Sequence, residues 1–150
     1  MVSWSTFAES APELAEAGRG LIYRREIGEA LLATVRDDEP PRINPIYVAV
    51  LEGRLLAFLH PSPKQAALAS DGRFALHTYV TASEADEFLV RGRARVVDAA
   101  AERGAAAAAW YFDVDDDAVL FEFLVETALL GERPGGAWPP RYTSWRSDAG

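Results

Sequence analysis

Cysteine is absent from the 150 residues, which excludes disulfide frameworks, thiolate nucleophiles, zinc–cysteine sites and cysteine-ligated iron–sulfur clusters. Lysine is nearly absent as well: 14 of the 15 basic residues are arginine, and Lys64 stands alone. That lysine follows Pro63, so no Gly-Lys-Ser/Thr phosphate loop exists, and no G-x-G-x-x-G or G-x-S-x-G segment occurs. The two histidines, His60 and His77, are too sparse for a hydrolase triad or a helical zinc pair and read as ordinary strand residues. No apolar run reaches bilayer length, and the opening Met-Val-Ser-Trp-Ser-Thr lacks the basic stretch and apolar core of a leader, which predicts a cytoplasmic protein. A net charge of −8 predicts neither nucleic acid nor membrane as a partner, because both are bound through an excess of Lys and Arg. The acidic run from Asp113 to Asp117 is no calcium loop, since such a loop would need glycine at Ala118 and glutamate at Leu124; it reads as a solvated turn. No metal site is predicted.

What is present suits one mainly β domain spanning residues 1–150, with 49% hydrophobic content to fill a core. Ser10-Ala11-Pro12-Glu13 has the form of a capping box, and apolar residues follow at helical spacing, predicting a cover helix over 10–24. Apolar runs broken by turn residues then predict strands over 30–36, 42–51, 54–60, 74–80, 88–97 and 118–130. Short helices are expected after Ser62-Pro63 and in the alanine-rich stretch 99–110, and Trp110, Tyr111 and Phe112 behind it read as core. Six strands without crossover helices predict a closed or nearly closed antiparallel barrel over 29–130, followed by a C-terminal arm, 131–150.

One segment carries chemistry. At His60-Pro61-Ser62-Pro63-Lys64-Gln65 a strand ends and a capped helix begins. Unpaired N–H groups at a helix start, together with a serine hydroxyl and a lysine ammonium, form a phosphate seat. Arg42 begins a strand expected to pair with the one leading into Ser62, which would bring a second cation to the same anion. Arg91, Arg93 and Arg95 alternate on one strand and read as a solvated face.

The layout resembles the pyridoxamine-5′-phosphate-oxidase-like split-barrel family. The resemblance rests on Leu32-Ala33-Thr34-Val35-Arg36, Pro41-Arg42-Ile43-Asn44-Pro45-Ile46, Ser62-Pro63-Lys64 with Leu68, Arg73-Phe74-Ala75-Leu76 and Gly92-Arg93-Ala94, in that order. It implies a six-stranded antiparallel split β-barrel that binds flavin mononucleotide (FMN), or in some branches the deazaflavin F420, at a homodimer interface. By position, Arg42 and Lys64 would hold the cofactor phosphate with Ser62 beside them, and Ile43, Asn44 and Pro45 would lie along the ring. Tyr47, Ala57 and Phe58 match cofactor-lining positions, Glu87 falls where the oxidases carry glutamine, and Gly92 matches a mid-strand glycine at a bulge or close approach. Three departures stand out: Asp37-Asp38-Glu39-Pro40 replaces an Asp-Gly turn, Pro63 replaces an arginine, and the tail holds no Arg-x-His substrate motif. Oxidation of pyridoxamine phosphate is therefore not expected. The resemblance implies an FMN-dependent oxidoreductase acting on a small-molecule redox substrate; the alternatives are an F420-dependent reductase and a non-catalytic flavin- or haem-binding dimer.

Overall fold

The structure is a computed structural model, and residues 1–148 are described. Two short helices open the chain, α1 (Trp4–Ser10) and α2 (Pro12–Ile22), where a single helix from Ser10 was expected. Pro12 is the cause: its ring disfavours helical backbone at the residue before it, and Ala11 sits at φ −139°, ψ 67°. Ser10 therefore ends α1 instead of capping α2, and its hydroxyl accepts a hydrogen bond from Trp145 Nε1 at 2.9 Å.

Strands β1 (Glu29–Thr34), β2 (Arg42–Tyr47), β3 (Ala49–Leu51) and β4 (Arg54–Leu59) follow, then α3 (Pro63–Ser70), β5 (Arg73–His77), β6 (Glu87–Val96), α4 (Ala100–Ala108), β7 (Val119–Glu132) and β8 (Arg141–Arg146). All pairings are antiparallel, and the strand order is β2-β1-β5-β6-β7-β4-β3 with β8 on the free side of β7. The two ends of that order, β2 and β3, are one stretch of chain interrupted at Val48. The sheet thus curls back on itself as an antiparallel split barrel flanked by helices, the fold class read from the sequence.

The strand predicted over 42–51 is in fact two, because the chain changes partners at Val48. Before it, β2 pairs with β1; after it, β3 pairs with β4. Counting β2 and β3 as one run recovers the six barrel strands, and β8 is an addition. The C-terminal arm carries β8 and wraps onto the barrel. Glu132 pairs with Arg141 and Thr127 with Arg146, and Trp145 docks on Phe7 with ring centroids 4.9 Å apart.

Alternation directs side chains inward: Ala30, Leu32 and Thr34 of β1 are buried while their neighbours are half-exposed. Inside, Phe7, Phe88, Phe121 and Phe123 are almost wholly buried, and each contributes about 2–3 kcal/mol of transfer free energy. Trp4 and Phe7 of α1 close one barrel opening against Phe88. No helix among the described residues is long and apolar enough to cross a membrane.

Candidate functional site

The split begins at Val48. The β3–β4 ladder runs Leu51↔Arg54, Val50↔Leu55, Ala49↔Leu56 and then stops, because β2 has turned away to pair with β1. Only half of the expected 42–51 strand therefore pairs with the strand leading to Ser62, and Arg42 lies in the other half. The divergence is bridged by Trp110, Tyr111 and Phe112. Phe112 meets Tyr47 edge-on at 5.2 Å, and Trp110 meets Phe58 in the same way at 5.1 Å. Between them the Tyr111 hydroxyl donates to the Val48 carbonyl at 2.6 Å and accepts from the Gly28 N–H at 3.1 Å. Burial, reinforced by a hydrogen bond with Tyr23, pushes the Tyr111 phenol well above its ordinary range, so it stays a neutral donor. A Cβ at Gly28 would lie 2.0 Å from the Val48 carbonyl oxygen, which is why glycine stands there. These aromatic residues read as plain core in the sequence; nothing in their spacing reveals that they span the seam.

At one end of the barrel β1 finishes and β2 starts, with Thr34 and Arg42 as cross-strand partners. Partners share a face, so the two side chains lie on the same side of the sheet. Thr34 is 2% exposed, and its Oγ1 is the one buried side-chain polar atom without a hydrogen-bond partner among the described residues. An orphan of this kind costs about 1–3 kcal/mol unless something outside the chain satisfies it. Helix α3, which starts at Lys64's neighbour Pro63, packs on β1 and β6. The cap at its start forms as the sequence predicts: the Ser62 hydroxyl accepts from Gln65 N at 3.3 Å and donates to the His60 carbonyl at 2.9 Å. Lys64 is half-buried and makes no ion pair or hydrogen bond among the described residues. Arg42 is exposed and reaches Glu39 at 3.5 Å, a surface contact that yields readily to a stronger anion. Thr34 belongs to a segment singled out in the sequence, but its unpartnered hydroxyl is visible only in the folded interior.

The other predicted residues are distributed by the pleat. Ile43, Pro45 and Tyr47 point outward and are exposed, whereas Arg42, Asn44 and Ile46 take the opposite face. Ala57 is fully buried, backbone included, so it offers a ligand no surface, and Phe58 packs under Trp110 and the Arg103 guanidinium. Glu87 starts β6, five residues before Gly92, whose row contains Phe74, itself opposite Thr34. That separation is about 17 Å along the strand. Glu87 Oε2 lies 3.0 Å from His77 Nε2, and His77 Nδ1 meets the Thr78 carbonyl at 2.6 Å. Tyr47 lies five residues along β2 from Arg42 and borders a cleft of about 280 Å³ with Glu29, Pro45, Ile46 and Tyr79. Strand β2 accordingly carries Arg42 at one end and borders an aromatic cleft at the other. On the surface His60 lies 3.7 Å from Asp115 and 3.8 Å from Asp117, all three exposed with no buried group ordering them.

No protein-family model matches the sequence, and no curated protein sequence matches it. Solved structures share its fold. A haem-binding protein from Mycobacterium smegmatis superposes with a TM-score of 0.65 over 87% of this chain at 17% identity, and this chain spans only 57% of that longer one. A protein from Clostridium acetobutylicum, related to general stress protein 26 and described as of the pyridoxinephosphate oxidase family, matches over 96% of both chains with a TM-score of 0.61 and 13% identity. A FAD-binding protein from Mesorhizobium loti matches over 79% of this chain and 91% of its own, with a TM-score of 0.55 and 18% identity.

Proposed function

We propose that this chain binds a phosphate-bearing flavin, FMN in the first instance, as a homodimer, and acts as an oxidoreductase on a small-molecule substrate. The observation that carries the reading is the orphaned Thr34 hydroxyl beside Arg42, at the barrel end against which α3 packs. A phosphate at this barrel end would give that hydroxyl the acceptor it lacks within the chain. Arg42 and Lys64 supply the charge that the phosphate requires in a chain of net charge −8, and the N–H groups that open α3 add to it. Ile43, Pro45 and Tyr47 lie on the opposite face of β2 from Arg42, and because β2 ends the strand order a ring on their exposed apolar track would reach the seat around that edge. The flavin, when bound, carries the electrons; the side chains seat it, orient it and exclude water, which agrees with a sequence that holds no nucleophile motif. The fold neighbours that bind FAD and haem support a cofactor role for the barrel, and F420 is the alternative that the same phosphate seat admits.

The seat is tested by substitution. Lys64→Ala and Arg42→Ala each remove a charge-assisted contact of about 1.5–3 kcal/mol, a ten- to hundred-fold loss of FMN affinity measured by fluorescence titration. Thr34→Val gives the sharper reading. It should weaken FMN binding while leaving the free protein as stable as before or more so, because the orphan hydroxyl is removed with little change of shape. Unchanged affinity in all three variants contradicts the seat.

The dimer is tested separately. Ile43 is 67% exposed, and Tyr47 and Phe112 are each 48% exposed, on the side of the split, an apolar surface that a second copy covers. Sedimentation at micromolar concentration should return twice the 16.4 kDa chain mass, and a monomer there contradicts this part of the reading.

A further inference from the structure

On the outer face of β6, β7 and β8, away from the flavin seat, two rows of side chains cross the sheet. One row is Leu89–Leu129–Ser144 and the next is Arg91–Thr127–Arg146. Together they line a depression of about 290 Å³. Two arginines in one row, separated by a single strand, stand about 10 Å apart at the backbone, and their side chains are long enough to meet above Thr127. Like charges placed in this way repel. The chain has 23 acidic residues against 15 basic ones, yet neither Arg91 nor Arg146 forms an ion pair among the described residues. Along the same β6 strand, Arg95 is held by Glu122 and Arg93 by the Asp71 carbonyl, so the expected solvated arginine face is in fact divided by role. Arg91 Nε donates to Thr127 Oγ1 at 3.3 Å, which fixes the guanidinium and leaves the threonine proton free to donate.

We propose that this depression is a second anion site, specific for a phosphate monoester with a small apolar body. The phosphate oxygens take the Arg91 and Arg146 guanidiniums and the Thr127 hydroxyl, and the body lies on Leu89 and Leu129. Three oxygens of a phosphate monoester match three converging donor groups better than the two of a carboxylate. The site is independent of the flavin reading, because it shares no residue with Arg42, Thr34 or Lys64.

Phenyl phosphate is the probe, titrated by calorimetry into the full chain, with benzoate and inorganic phosphate as comparators. The expected result is saturable binding of phenyl phosphate, at least about ten-fold tighter than benzoate and tighter than inorganic phosphate. Arg91→Gln and Arg146→Gln should each weaken it by about ten-fold or more, while Lys64→Ala leaves it unchanged. Both arginines are exposed, so these variants should fold, as circular dichroism would verify. Failure to bind phenyl phosphate at ten-millimolar concentration overturns the proposal. So does binding that survives the double Gln variant, or binding that disappears in Lys64→Ala, which would place the probe in the flavin seat. Dissociation of an oligomer in Arg91→Gln overturns it too, by assigning the arginines to carboxylates of a second copy.

Discussion

Replacing Glu122 with alanine should lower the stability of the fold by about 3–5 kcal/mol, the range for breaking a buried ion pair from one side. Glu122 is 1% exposed, although it lies on the strand face toward α4. Arg54 donates to it through Nε at 2.9 Å and Nη2 at 3.2 Å, and Arg95 through Nε at 2.9 Å. Arg54 also lies 3.5 Å from Glu102 on α4, so the carboxylate fastens β4, β6 and β7 together and draws the helix onto them. Without it, two guanidiniums face each other, and the Arg54 side chain is only 23% exposed to recover hydration. Burial alone would push the Glu122 carboxyl up, but the hydrogen bonds from Arg54 and Arg95 outweigh it and hold the group below its ordinary range. Because its folded value lies below the unfolded one, its stabilisation is complete above the unfolded value and is lost as pH falls through the folded one. Urea unfolding of the wild type should therefore weaken in acid, and Glu122→Gln should flatten that dependence while costing less than alanine at neutral pH. A loss under about 1 kcal/mol for Glu122→Ala would mean that both arginines find water unaided.

Gly92→Ala should cost about 3 kcal/mol or more, at the upper end for overpacking. A Cβ there would stand 1.9 Å from the Leu124 carbonyl oxygen and 3.0 Å from its carbon, and backbone atoms cannot rotate aside. The close approach arises from a bulge: Arg91 opposes Thr127 but Gly92 opposes Val125, leaving Glu126 without a partner in the ladder. Gly104 in α4 is the control, because a Cβ there meets nothing within 4 Å. Gly104→Ala should raise stability by up to about 1 kcal/mol through helix propensity alone. If both alanines behave alike in thermal unfolding, the bulge relaxes freely and the packing argument fails.

Gly92 also shows what the sequence makes legible. A glycine amid Val90, Arg91, Arg93 and Ala94 breaks a strand pattern, and local chemistry suffices to predict a bulge or a close approach. The Ser62 cap is legible for the same reason, since the cap, the proline and the donating amide of Gln65 lie within four residues. What pairs with Arg42 is not local. The alternation of Arg42 to Leu51 is compatible with one long strand, and the exchange of partners at Val48 depends on Gly28 and Tyr111, far away in the chain. Within the C-terminal arm, prolines and glycines mask a short strand, Arg141 to Arg146, that only the free edge of β7 makes stable. Around Pro12 two local signals compete, a capping-box pattern that favours one helix and a ring that disfavours helical backbone at Ala11, and the folded chain follows the second. Thr34 is an ordinary inward strand residue by sequence, and its missing partner is a property of the folded interior alone.

The most direct test of the phosphate seat needs no variant: FMN and phosphate-free riboflavin are titrated in parallel into the wild-type protein, followed by the visible flavin spectrum. The two ligands share the ring and differ at the phosphate that Arg42, Thr34 and Lys64 are proposed to hold. The account predicts that FMN binds at least about ten-fold more tightly, the worth of one charge-assisted contact. Equal affinity for the two, or no change in the FMN spectrum on adding protein, would contradict it.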